Sequence, residues 1–140
     1  MHARSLSAAL LLAVVLAALP WTGRPAYGQQ TVDRAIEGGV RDLLHQYSTA
    51  LESLDAAAVK KVQPSIDEKL LSAAFREMRS LDVTIDEIKL LSSEAMSARV
   101  SCRVTQTLTP KAGSQRTTAV TRVIRLRRQD GVWVIDAFER

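Results

Sequence analysis

Cysteine is almost absent from this sequence: Cys102 is the one thiol in 140 residues, so no intramolecular disulfide can form and stability must come from packing. Histidine is nearly as scarce. His2 and His45 are the two imidazoles, and with a single cysteine they give no metal-ligand set, so no metal is expected. Aromatic residues make up 4% of the chain and are not interleaved with its arginines, which argues against a nucleic-acid partner. Gly38-Gly39 falls inside a helical pattern and not in a phosphate-cradling loop, and no other motif calls for a cofactor. Cys102 has no arranged base beside it, so a nucleophilic thiol is not expected.

Apolar runs long enough to span a bilayer are also missing. The longest covers residues 6–19, all Ala, Val or Leu except Ser7, short of the roughly 20 residues a crossing helix needs. Arg4 precedes this run, Pro20 ends it, and Ala26-Tyr27-Gly28 offers small residues at the two positions a signal peptidase tests. The pattern predicts a cleavable signal peptide over residues 1–28 and a single domain over residues 29–140. No Cys lies near the run for lipid attachment and no twin-Arg pair precedes it, so the general secretory route is expected, to a periplasmic or secreted destination. An uncleaved membrane anchor is the alternative; after cleavage no stable anchor remains.

Charge is uneven. Cleavage removes Arg4 and Arg24 and no acid, which lowers the formal charge from +4 to +2. Residues 29–97 hold 8 basic and 12 acidic side chains, whereas residues 98–140 hold 9 basic and 3 acidic. Either the second part presents an anion-binding surface, or two layers of one domain carry complementary charge.

Hydrophobic spacing then sets the elements. Ile36, Val40, Leu43, Leu44, Tyr47, Leu51 and Leu54 recur at three and four, which predicts a first helix from Val32 to Leu54. Asp55 caps a short second helix to Val62, stopped by Gln63-Pro64. Ser65-Ile66-Asp67-Glu68 is a capping-box pattern, with Ser65 as the expected cap of a third helix bearing Phe75 and Met78. The period then changes. Leu81 to Leu91 alternates with a break that calls for a bulge near Asp86-Glu87. Ala98, Val100, Cys102 and Val104 alternate with polar residues, so Cys102 points inward. A third strand over Thr117 to Arg128 turns at Asp130-Gly131 into a last one, Val132 to Phe138. The two-residue turn pairs Leu126 with Ile135 and Arg125 with Asp136, the latter an ion pair of about 0.2–1 kcal/mol. It also puts Trp133, Ile135 and Ala137 on the inner face.

Three helices followed by a meander of long strands give an α+β domain. The segment Tyr47 to Asp55 resembles the end of the first helix in the nuclear transport factor 2-like superfamily, SnoaL-like members included. The closing stretch from Arg127 to Ile135, with Gly131-Val132-Trp133-Val134-Ile135, is similar to that superfamily's final hairpin. The resemblance implies three N-terminal helices packed on a strongly curved antiparallel sheet, a cone with a pocket inside. It also implies that an enzyme of this kind, an isomerase or dehydratase, would carry an Asp or His base in the cone. The inward positions on the last three strands supply none, so no catalytic residue is assigned.

Arg122 falls on the inner face, where an unpaired guanidinium is costly. It is expected to face a ligand carboxylate, or to pair with its approximate neighbour Glu139, or to be exposed by a one-residue slip. The candidate pocket residues are Tyr47, Phe75, Met78, Cys102, Arg122 and Trp133. His45 is expected at the surface or the rim. Val123, Val134 and Phe138 form an apolar strip on the outer face, a candidate homodimer contact. The function expected is a non-catalytic binding or interaction domain for a small apolar or carboxylate-bearing ligand. The alternatives are a small isomerase, dehydratase or hydrolase, should Asp82 or Asp86 enter the cone, and a dimeric scaffold.

Overall fold

In a computed structural model, which describes residues 26–140 and side chains from Thr31 onward, three helices pack against one antiparallel sheet. The apolar run of the expected signal lies outside the described residues, and the expected cleavage point after Gly28 falls in the first turn of α1. This helix spans Ala26–Glu52, a longer element than the spacing predicted. Its stripe Ile36, Val40, Leu43, Leu44, Tyr47 and Leu51 is buried. Leu54 ends the helix with φ at 52°, while Leu54 N–H donates to Leu51 O and Asp55 N–H to Ala50 O. That is a Schellman closure with leucine where glycine is usual. The backbone cost is offset by packing, because the Leu54 side chain lies against the core.

Asp55 caps α2, Ala56–Val62, by accepting from Ala58 N–H at 3.1 Å. For α3, Glu68–Arg76, the cap is Asp67 and not Ser65. Asp67 Oδ1 accepts from Lys69 N–H at 3.0 Å and from Leu70 N–H at 3.1 Å. Ser65 is used elsewhere: its hydroxyl donates to Asp136 O at 3.2 Å and ties the loop to the sheet.

The strands are β1, Met78–Ser93; β2, Ser97–Pro110; β3, Arg116–Gln129; and β4, Val132–Glu139, in that spatial order. In β1 the register shifts between Asp86 and Lys89, and Glu87 has φ at 50°, which is the expected bulge. It keeps Leu81, Val83 and Ile85 on the same face as Ile88 and Leu90, all in or against the core. Ala98, Val100, Cys102 and Val104 are buried along β2. Asp130 and Gly131 both have positive φ, 53° and 78°, as a two-residue hairpin turn of matching twist requires.

The β3–β4 register departs from expectation past one point. Leu126 pairs with Ile135 as anticipated, but Arg125 pairs with Ala137, so Asp136 is an extra residue in β4. This second bulge turns Ala137 away from the core and sets Phe138 opposite Ile124, on the concave face. Asp136 consequently pairs with Arg127, at 3.1 Å, and not with Arg125. The outer strip loses two of its three members: Phe138 turns inward and Val134 is buried within the chain, which leaves the half-buried Val123. α1 lies across the concave face against both β1 and β4, so helix and curved sheet share one core.

Candidate functional site

The core does not fill the concave face to its end. Where β2 and β3 run past α1, a cavity of about 520 Å³ remains, within the size range of small-molecule sites. Its apolar wall is Tyr47 from α1, Val104 from β2, Val120 from β3 and Phe138 from β4. Its polar lining comes from Gln106, Thr118, Arg122, Glu139 and Arg140.

Tyr47 and Phe138 form one corner, with ring centroids 6.0 Å apart and planes tilted by 42°, a favourable aromatic pairing. Burial pushes the Tyr47 hydroxyl up to about 12, so it remains a neutral donor at any ordinary pH. Arg122 is exposed on the cavity wall, and its side chain makes no ion pair or hydrogen bond among the described residues. Its expected partner Glu139 is engaged on the other face of the sheet. There Arg99 Nε reaches Glu139 Oε1 at 2.9 Å and Arg99 Nη2 reaches Oε2 at 2.6 Å, with Arg125 Nε at 4.0 Å. The hydrogen bonds from Arg99, then its charge and that of Arg125, hold the Glu139 carboxyl below the usual range. A carboxylate so stabilised is a weak base.

The other expected pocket residues are not in the lining of this cavity. Phe75 is buried in the core and Met78 packs against it at the start of β1. Cys102 stands directly across from Arg122 in the ladder, fully buried, and burial with the nearby Asp86 charge raises its thiol to about 11. Trp133 is at the far end of β4, beside Gly39, with the Arg128 guanidinium 4.8 Å from its ring centre. Of the six candidates, Tyr47 and Arg122 are the two that line the cavity together.

Asp82 and Asp86 are exposed on the convex side of β1 and do not enter. His45 is exposed on the opposite flank of α1, beside a groove formed with α2. Among the described residues no three His, Cys, Asp or Glu side chains are grouped to hold a metal ion. Val104, Val120, Gln106 and Thr118 follow from continuing the inner-face alternation to the strand ends. Phe138 does not, because its inward turn depends on the bulge at Asp136.

No protein-family model and no curated protein matches the chain. Solved structures do. A protein provisionally assigned as a scytalone dehydratase from Novosphingobium aromaticivorans aligns with a TM-score of 0.71 and 12% identity, over 79% of this chain and 85% of that one. A hexachlorocyclohexane dehydrochlorinase, LinA-type3, from Novosphingobium barchaimii aligns at 0.61 and 12% identity, over 77% and 87%. A provisionally assigned dehydratase of the nuclear transport factor 2-like family from Streptomyces avermitilis aligns at 0.63 and 12% identity, over 76% and 95%. With its three helices set into a curved four-stranded antiparallel sheet, this chain has the nuclear transport factor 2-like fold.

Proposed function

We propose that this protein is an exported binding protein that holds a small amphipathic molecule, apolar in its body and anionic at one end. The observation that carries the reading is a cavity with an apolar wall at Tyr47, Val104, Val120 and Phe138 beside the unpaired Arg122 guanidinium. The negative charge of Glu139 is already matched by Arg99 on the other face of the sheet. An anionic head meets donors in the cavity, from Arg122 and from the neutral Tyr47 hydroxyl, while its chain meets hydrocarbon and ring surface.

Hydrogen bonds to a charged group contribute about 1.5–3 kcal/mol, so the head group decides about ten- to a hundredfold in affinity. Titration calorimetry with decanoate and with decanol tests this. Decanoate is expected to bind at least tenfold more tightly, and Arg122→Leu to remove the difference. Equal binding of the two, or none of either, overturns the reading. Mass measurement of the exported protein checks the compartment, with Gln29 the expected first residue.

A second reading is an enzyme that eliminates water or a halide from a hydrophobic substrate, supported by the names of the structural neighbours. Such chemistry needs a basic group aimed at a substrate C–H. Glu139 is the acidic residue at the cavity's edge, but its carboxylate is turned to the other face of the sheet, where Arg99 holds it and lowers its basicity. Binding is therefore the reading this lining favours.

A further inference from the structure

The cavity floor carries two polar stations, and an anionic head group occupies one of them. On the concave face the β2–β3 ladder sets Cys102 across from Arg122, then Val104 from Val120, then Gln106 from Thr118. Successive rungs on one face are two residues apart. Arg122 and Thr118 are therefore separated by roughly 13 Å of strand, at about 3.3 Å per residue. Between them lies the apolar Val104–Val120 rung.

The far rung is polar on both sides. The Gln106 amide and the Thr118 hydroxyl line the cavity as direct cross-strand neighbours. Neither side chain makes a hydrogen bond among the described residues, although polar side chains beside them do. The Thr107 and Thr117 hydroxyls lie 3.0 Å apart, and Gln115 Nε2 donates to Thr109 Oγ1 at 3.2 Å. Gln106 is half-buried, so a ligand that displaces its water must replace those hydrogen bonds or bind less well. Amide and hydroxyl each offer a donor and an acceptor. A ligand hydroxyl matches both. A second carboxylate would only accept, and would bring charge to a rung without a cation; Arg116, one rung further, is not in the lining.

We propose, resting on the binding reading above, that the cavity selects a long-chain carboxylate bearing a hydroxyl at its far end. The carboxylate lies at Arg122 and the hydroxyl lies between Gln106 and Thr118. Gln106 Oε1 accepts from the ligand hydroxyl, and the Thr118 hydroxyl donates to its oxygen. The methylene chain crosses the Val104–Val120 rung, and an extended decanoate chain covers a comparable distance.

Titration calorimetry with decanoate, ω-hydroxydecanoate and δ-hydroxydecanoate tests this. In an apolar site a hydroxyl costs affinity because it gives up its water, so the sign of the change is decisive. The ω-hydroxy acid is expected to bind about three- to tenfold more tightly than decanoate, as hydrogen bonds between neutral groups allow. The δ-hydroxy acid, whose hydroxyl falls near the Val104–Val120 rung, is expected to bind more weakly than decanoate. In the Gln106→Leu, Thr118→Val double variant, decanoate is expected to become the tighter ligand of the first two. That reversal is a ratio within one sample, which a misfolded variant would not show. The proposal fails if the ω-hydroxy acid binds no better than decanoate, or if the δ-hydroxy acid gains as much. It also fails if the double variant keeps the preference, or if decanedioate binds more tightly than the ω-hydroxy acid. Decanoate bound through Arg122 with no hydroxyl preference leaves the binding reading standing; no binding of decanoate removes both.

Discussion

Adjacent residues in α1 differ sharply in what they tolerate. A Cβ at Gly39 would stand 2.9 Å from Trp133 Cδ1 and 3.2 Å from Nε1, whereas one at Gly38 would meet nothing within 4 Å. Alanine in place of helical glycine gains about 0.5–1 kcal/mol, but overpacking a fitted contact costs about 1–3 kcal/mol. Gly38→Ala is therefore expected to raise the urea midpoint and Gly39→Ala to lower it. The sequence showed two glycines in a helical pattern; it did not show which one lies under the indole. Arg122 has a similar history. Alternation placed it on the inner face, but its freedom from Glu139 depends on where Arg99 reaches, a contact 40 residues apart in the chain. Tyr47 provides a direct readout of its burial. In a Tyr27→Phe background, ultraviolet titration is expected to place the Tyr47 midpoint about 12, against 10 for a free phenol.

Among the elements, those with short-range signals were the most legible. The helical stripe, the Asp55 cap, the bulge in β1 and the Asp130-Gly131 turn all stand where the spacing indicated. The third helix shows how near-equivalent signals separate only in space. Ser65 and Asp67 both have capping chemistry, but the loop turns Ser65 toward Asp136 O and leaves Asp67 facing the free amides. Asp67→Ala is expected to lower stability by about 1 kcal/mol, as loss of a cap does. Ser65→Ala, which removes one exposed hydrogen bond, should change it by less than about 0.5 kcal/mol. Paired urea unfolding curves distinguish the two. The bulge in β4 had no such local signal. Nothing in Ile135-Asp136-Ala137 itself demands an extra residue; its pairing with β3 does, and that pairing puts Phe138 beside Tyr47.

As a whole, the molecule depends on a core without disulfides, and two of that core's members ionise. Burial raises Cys102 from 9.0 to about 11 and Tyr47 from 10.0 to about 12. In the unfolded chain both release their protons at the lower values. Between the two pKa values of each group the unfolded state has lost a proton that the fold retains, so stability falls as pH rises. The full contribution is present below pH 9. Each group then removes about 1.4 kcal/mol per pH unit within its own window, with Cys102 leading. Urea midpoints are expected to hold to pH 9 and to decline beyond it, and Cys102→Ala is expected to move the onset toward pH 10.

The sequence by itself determined the class of this domain: three helices, then four antiparallel strands, with the correct residues facing inward along most of each element. Those features rest on periodicity and on caps and turns, whose physics acts within a few residues of chain. Only the tertiary structure decided where the concave face stays unfilled and which groups surround that space. It gave Glu139 to Arg99, turned Phe138 inward through an extra residue in β4, and left the Arg122 side chain with no ion pair among the described residues. Each of these outcomes depends on how strands far apart in sequence pair. A scarcity of cysteine and histidine was visible from the first reading; the shape of the space those residues do not occupy was not.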